Sequence, residues 1–563
     1  MSQLGDAETP AGVINATETS WPRTAKLSDL CCETLLRMVT IYEEEVGLSY
    51  PVVALDPLRK YIAVTYKEAR LGSRAETLKA STPAVKEDRY DEQLVVIISI
   101  VMVLQSGGRS DIGARWVDKM ASVVRHRTTR DRIGVQDIVL LVLMAFLYFH
   151  SDREILAWRM TGEAARMLLE LGFHRSETLK KRYPTRNELR QAVKLFWSVY
   201  NTERRFSYGS GLPFVLQDAD IDHDLPEPDE SSFSSMYVKS MIVYTRIASH
   251  VWRSATTSPE LSTAFVEGTR DRLDFRVLQW RKSLPIKLQF RGVEETFDPE
   301  KHVWGHWRLR LMLYLRANQM RIVIHRNVIH HKAMPRGQKR LINPSSINTL
   351  IEIAQDTIRV LAQLTETADL YKIQQQTYNF FLESALASLL VVIVTNEPIY
   401  GDICTGDVRL AMNVIHKFAA HSSISNHLRT KIDNFRNVER RVRGSRSDKM
   451  WQSSRGVADG TPPVVCPPVS DATRDSQCSP SLLPSEINLN VAANWPAPKM
   501  PSNMSSTWDS QPRFPPVDGM SIGGILGDFN MEPFHCGSSP DKADPALSLY
   551  IANSWMKIGF CRS

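Results

Sequence analysis

Apolar positions recur at three- and four-residue steps through most of the chain. In "REILAWRMTGEAARMLLELGFHR" (153–175), Ile155, Leu156, Trp158, Met160, Ala164, Met167, Leu168 and Leu171 fall on one stripe, and Gly172 supplies a C-terminal stop. "NELRQAVKLFWSVYNTERRFSYG" (187–209) repeats the pattern with Leu189, Val193, Phe196, Trp197 and Tyr200. "HWRLRLMLYLRANQMRIVIHR" (306–326) and "YNFFLESALASLLVVIVT" (378–395) read as two further long helices. Strand-like alternation is nearly absent, and Pro57, Pro184, Pro213, Pro226, Pro228 and Pro285 punctuate the helical stretches. The pattern predicts an all-α domain over residues 29–443, with Trp158 and Trp197 in its core.

The two most apolar runs, "LVVIISIVMVL" (94–104) and "IVLLVLMAFLYF" (138–149), fall short of the ~20 residues a bilayer-crossing helix needs. They read as buried core helices, and no membrane association is expected. The ends differ. Residues 1–28 are polar and aperiodic, which predicts disorder. Residues 451–563 hold 15 of the chain's 30 prolines. With no apolar face to offset its ordering entropy, the whole stretch 444–563 is expected to be a disordered Pro/Ser-rich tail.

Composition narrows the class only a little. Apolar residues make up 43% and charged residues 23%, as in ordinary globular proteins, and a net charge of +7 permits an acidic partner without demanding one. The seven cysteines show no zinc-knuckle spacing, which argues for a reducing compartment and against a disulfide frame. The N-terminus shows no basic start followed by an apolar run, so no signal peptide is expected.

The most conspicuous candidate chemistry is "GLPFVLQDADIDHDLPEPDE" (211–230), with seven carboxylates and a histidine. Asp218, Asp220, Asp222, His223 and Asp224 alternate like the ligands of a cation loop. Yet no glycine stands at the bend, and Leu225-Pro226 breaks the series. A structural loop is the preferred reading. The rival is a helical metal-dependent enzyme, cyclase-like, using the Asp220 carboxylate and a divalent cation. His325, His330 and His331 have no HExxH companion and read as a solvated basic helix end; His174, after Gly172, reads as a helix-terminal imidazole. No nucleophile elbow, phosphate loop or dinucleotide fingerprint occurs. No enzyme activity, cofactor or metal is therefore expected.

Two basic clusters remain. "RHRTTRDR" (125–132) is placed between helices. "RTKIDNFRNVERRVRGSRSDK" (429–449) gathers Arg440, Arg441, Arg443, Arg446 and Lys449 into a candidate nuclear-import signal or phosphate-contacting patch, against the alternative of a solvated helix end.

Three stretches in order, "AWRMTGEAARMLLELGFHR" (157–175), "LFWSVYNTERRFSYGSGLPF" (195–214) and "LQDADIDHDLPEPDE" (216–230), resemble the fungal-specific transcription factor domain, the middle homology region of fungal zinc-cluster regulators. Its pattern of A-W-x-x-x-G-x-A-x-R-M, L-G-x-H-R, F-W and D-x-D-I-D-x-x-L-P is met at Ala157, Trp158, Gly162, Ala164, Arg166, Met167, Leu171, Gly172, His174, Arg175, Phe196, Trp197, Asp218, Asp220, Ile221, Asp222, Leu225 and Pro226. The resemblance implies a helical regulatory body in which the acidic run is a signature loop, with Ile221 and Leu225 as its apolar anchors and Arg204 or Arg205 paired to its carboxylates. Leu212, Glu203 and Val193-Lys194 depart from the family's preferences, departures expected to alter surface pairings and leave the fold intact.

Family members usually begin with six cysteines holding two zinc ions, and no such pattern is found here. The resemblance thus implies a nuclear transcription regulator, an activator of a metabolic or biosynthetic gene set, without its own zinc-cluster module. Its implied partners are other transcription regulators or the transcription machinery, DNA only weakly or through a partner, and a small-molecule effector. An interaction-only inhibitor of a partner regulator is the further alternative. "ILGDFNMEPF" (525–534) resembles an acidic-aromatic activation segment, with Phe529, Met531 and Phe534 interleaved with Asp528 and Glu532.

Overall fold

The structure, a computed structural model, describes residues 27, 30–68, 84–108, 111–130, 132–256, 263–331, 344–366, 370–395, 397–420, 422–430 and 432–433. Their elements are all helical. They run α1 (Cys32–Tyr42), a π-helical turn (Glu43–Gly47), α2 (Leu55–Glu68), α3 (Ala84–Gln105), α4 (Asp111–Thr128), α5 (Val135–His150), α6 (Glu154–Glu170), α7 (Ser176–Arg182) and α8 (Arg186–Ser210). There follow α9 (Phe233–Thr256), α10 (Thr263–Ser283), α11 (Trp304–His331), α12 (Pro344–Glu366), α13 (Leu370–Ile373), α14 (Gln375–Thr395) and α15 (Glu397–Ala419).

Local chemistry sets the ends of the helices that carry the loop. Thr185 Oγ1 accepts from the Glu188 amide (3.4 Å) and donates to the Glu188 carboxylate (2.7 Å), capping the start of α8. At its far end Gly211 turns left-handed (φ 69°), so that the amides of Gly211 and Leu212 reach back to the carbonyls of Tyr208 and Ser207. Gly172 (φ 72°) ends α6 in the same way.

The apolar stripes meet in two clusters. One is built mainly on α1 and α3–α9 and the other on α12–α15, and α11 faces both. Leu309, Leu313 and Ala317 belong to the first cluster, and Leu311, Leu315 and Ile322 to the second. A helix with apolar residues on opposite faces is buried on both, and α11 lies in the seam. In α14, Gln375–Ile393 is long and apolar enough to cross a bilayer, but 83% of that window is buried against the rest of the fold, as in a core helix.

Trp197 is 1% exposed, as its stripe predicts. Trp158 is not a core residue: it is half-buried and donates from Nε1 to Ser207 Oγ (3.1 Å), spanning α6 and α8. The "RHRTTRDR" cluster begins inside α4 rather than between helices. Arg127 pairs with Glu92 of α3 (2.6 Å) and Asp137 of α5 (3.0 Å), so one of its charges ties three helices together. His325 is not solvated either. It is buried on α11, with Nε2 3.4 Å from Asp274 and Nδ1 3.3 Å from Ser346 Oγ.

Candidate functional site

The acidic loop follows directly from the α8 cap, and six of its seven carboxylates are held by protein partners. Asp218 Oδ1 accepts from Tyr200 (2.7 Å) and from Arg204 Nη2 (2.9 Å). Asp222 Oδ2 accepts from the Ser176 amide (2.9 Å), capping α7 from 46 residues away, while its own amide donates to the His174 carbonyl (3.0 Å). Asp224 pairs with Lys180 (3.6 Å), Glu227 with Arg246 (3.1 Å), Asp229 with Arg190 (3.1 Å) and Glu230 with Lys239 (2.7 Å). Asp220 is exposed, with no described partner. Leu225 is buried and Ile221 half-buried, so both anchor the loop, joined by the buried Leu216. Trp197 Nε1 donates to the Pro226 carbonyl (2.7 Å), which locks the loop onto α8. Tyr200 and Arg204 hold Asp218 below the ordinary carboxylate range against the opposing effect of its burial.

The two arginines proposed as partners divide. Arg204 takes the loop: besides Asp218 it bonds Glu203 (2.8 Å) and Ser249 (3.1 Å), and it lies over the Phe214 ring (4.3 Å). Glu203, placed at the surface by the sequence reading, is fully buried; its carboxylate also accepts from the Val215 amide (2.8 Å) and Ser207 Oγ (3.0 Å). Burial raises the Glu203 carboxyl despite these partners. Arg205 points the other way, into the interior.

There Arg205 lines a cavity of about 740 Å³, counted to its solvent-open mouth, between α8, α9, α11 and the start of α14. Phe206, Met241, Met320, Phe380 and Phe381 supply much of its wall. A small polar chamber adjoins it, sharing Arg205, Arg316 and Thr377. Arg205 donates to Tyr50 Oη (3.2 Å) and Thr377 Oγ1 (3.1 Å), and Arg316 donates to the same Tyr50 Oη (3.1 Å). Arg308 binds the Glu44 carbonyl (2.7 Å) and Ser49 Oγ (3.1 Å) and lies 3.7 Å from Glu45. The π-helical turn presents Glu44 and Glu45. Glu45 also accepts from Trp304 Nε1 and from Gln374 Nε2 (2.8 Å). His150 is buried beside Arg205 and Arg308, and burial and these two cations push its pKa down to about 3, so it is neutral at pH 7.

Sequence reading did not find this cavity. The available signal was Arg308 and Arg316 embedded eight residues apart in an apolar helix, where a charge is costly unless it is used. The basic candidates Arg440, Arg441, Arg443, Arg446 and Lys449, and the activation-segment candidates Asp528, Phe529, Met531, Glu532 and Phe534, lie outside the described residues.

Comparison with known proteins bears on the loop and its helices. Residues 129–260 match the family model described as fungal specific transcription factor domain. A putative transcriptional regulatory protein of Schizosaccharomyces pombe is 26% identical over 259 residues, 42% of this chain and 30% of its own length. A negative regulator of pleiotropic drug resistance from Candida glabrata is 24% identical over 218 residues (38% of this chain, 21% of its own length). Activator of stress genes 1 of Saccharomyces cerevisiae is 25% identical over 242 residues (39% and 23%). The matched stretch thus spans less than a third of each of these curated relatives. No solved structure gives a significant match. The ordered motifs and the latched acidic loop coincide with the matched stretch on α5 to α9, so it is this part of the chain, residues 129–260, that is similar to the fungal specific transcription factor domain.

Proposed function

We propose that the chain regulates transcription in the nucleus, its helical body acting as the regulatory domain of a fungal zinc-cluster-type regulator. The observation that carries this is the family match at residues 129–260, which falls on the loop whose carboxylates hold α7, α8 and α9 in place. The engaged carboxylates also speak against the metal-dependent enzyme. Asp218 and Asp222 are already bound to protein donors, and a cation would have to displace them. Within the proposal, Arg440 to Lys449 serve nuclear import or phosphate contact, and 525–534 recruits the transcription machinery. Sequence-specific DNA readout comes from a partner, since recognition requires a helix or ribbon presenting side chains to base edges.

Two experiments test this. The chain is tethered to a heterologous DNA-binding domain upstream of a reporter; a change in reporter output in either direction is expected, and none would refute regulation. Selection from a random duplex pool at physiological salt should enrich no motif, with recovery only at low salt as counterion release dictates. Enrichment of one motif would overturn the partner-dependent reading.

A further inference from the structure

Arg205, Arg308 and Arg316 bring three positive charges to the two adjoining chambers. Among the described residues, Glu45 is the one carboxylate paired with any of them, and Arg205 and Arg316 have no carboxylate within ion-pair distance. Arg316 is buried and Arg205 half-buried, and holding two such cations side by side without a carboxylate is costly, so the site holds a standing positive potential. Tyr50 registers it: burial alone would raise its phenol, yet Arg205, Arg316 and Arg308 draw the pKa below its ordinary value. Arg316 is only 7% exposed, and its Nε–H has no acceptor among the described residues. A buried donor of this kind is rare without a functional reason. Glu154 also lines the larger cavity but is held by Gln376 Nε2 (3.0 Å).

The walls set the other half of the ligand. Phenyl and thioether side chains line the larger chamber together with Arg205 and Arg316, the pairing of apolar walls with a few polar groups that small-molecule sites use. Inorganic phosphate would leave those walls unfilled, and a neutral hydrocarbon would leave the guanidiniums unmatched.

We propose that the cavity between α8, α9, α11 and α14 binds a small organic acid, its carboxylate received by Arg205 and Arg316 and its apolar body lying against Phe206, Met241, Met320 and Phe380. Guanidinium forks match carboxylates in geometry as well as charge. The acid would draw together α8 and α9, inside the matched domain, and α11 and α14, outside it. This deepens the regulatory reading, which it needs only for its consequence in the cell; binding itself is a property of the chain.

Gly209 allows a test that leaves the charges alone. It lines the cavity within α8, and a Cβ there would meet only Phe380 Cε2, at 3.9 Å. In Gly209→Phe the ring would occupy the cavity, while the loss of a helical glycine favours folding. The purified full chain is titrated with decanoate, 4-phenylbutanoate and 2-naphthoate, each beside its primary amide, following thermal unfolding and calorimetry. At least one acid should raise the Tm and bind about tenfold or more tightly than its amide, as charged hydrogen bonds warrant. The preference should vanish in Arg316→Gln. All binding should vanish in Gly209→Phe, whose own Tm is at or above wild type. Several results would overturn the proposal: no stabilisation by any acid, equal stabilisation by acid and amide, equal stabilisation by inorganic phosphate, or binding that survives Gly209→Phe. If the acids fail while the tethered chain still drives the reporter, the ligand inference falls and the regulatory reading stands.

Discussion

Removing Glu203 should destabilise the protein more than removing any of the loop's own carboxylates. Its carboxylate is fully buried and satisfies three donors: the Val215 amide at 2.8 Å, Ser207 Oγ at 3.0 Å and Arg204 Nη1 at 2.8 Å. Each neutral bond contributes about 1 kcal/mol and the charge-assisted one about 1.5–3 kcal/mol. Breaking a buried ion pair from one side costs about 3–5 kcal/mol in general. Arg204 keeps Asp218 and Ser249 as partners, so the lower part of that range applies, and Glu203→Ala should lose about 3–4 kcal/mol. Glu203→Gln keeps an acceptor for Val215 and Ser207 but faces Arg204 with a neutral amide, and should lose about 1.5–3 kcal/mol. Urea denaturation of the purified chain, followed by far-ultraviolet circular dichroism, measures both. A loss below about 0.5 kcal/mol for Glu203→Ala, the level of an ordinary surface change, would refute the assignment of Glu203 as the hub between α8 and the loop.

The same assay separates the two tryptophans: Trp197→Ala should cost about 3–5 kcal/mol, and half-buried Trp158→Ala about 1–2 kcal/mol. Asp222→Ala removes the cap from α7 and should speed tryptic cleavage at the exposed Lys180, Lys181 and Arg182, whereas Asp220→Ala, at a carboxylate without a described partner, should leave the rate unchanged. His150 is held neutral in the fold with a pKa near 3, below its unfolded value, so its contribution is complete above pH 6.5 and falls away as pH drops from 6.5 toward 3. The slope is about 1.4 kcal/mol per pH unit. Glu44, raised to about 7 by burial and its neighbour Glu45, works in the opposite direction between its unfolded value and pH 7. The His150 contribution is therefore read as the difference between wild type and His150→Gln, and parallel stability-versus-pH curves for the two would contradict it.

The sequence by itself determined the helices, the loop and the family likeness, because each rests on local signals. Three- and four-residue apolar steps mark a buried face wherever the helix docks. Gly172, Gly211 and Thr185 end or begin helices through contacts within a few residues. The D-x-D-I-D-x-x-L-P series needs only its own order to be recognised. What the carboxylates do was not legible, because their partners stand far off in the chain: Ser176 lies 46 residues from Asp222, and Arg190 lies 39 from Asp229. Periodicity also misplaced Trp158, because a stripe gives the direction of a side chain and not how much of it a neighbour covers. The arginine-lined cavity belongs wholly to the tertiary structure. Tyr50 and Arg316 meet across 266 residues, and Gln374 reaches Glu45 across 329. In sequence each of these is an ordinary polar residue on a helix or turn. Only the docking of α11 into the seam between two apolar clusters brings them together and sets three arginines around the two chambers.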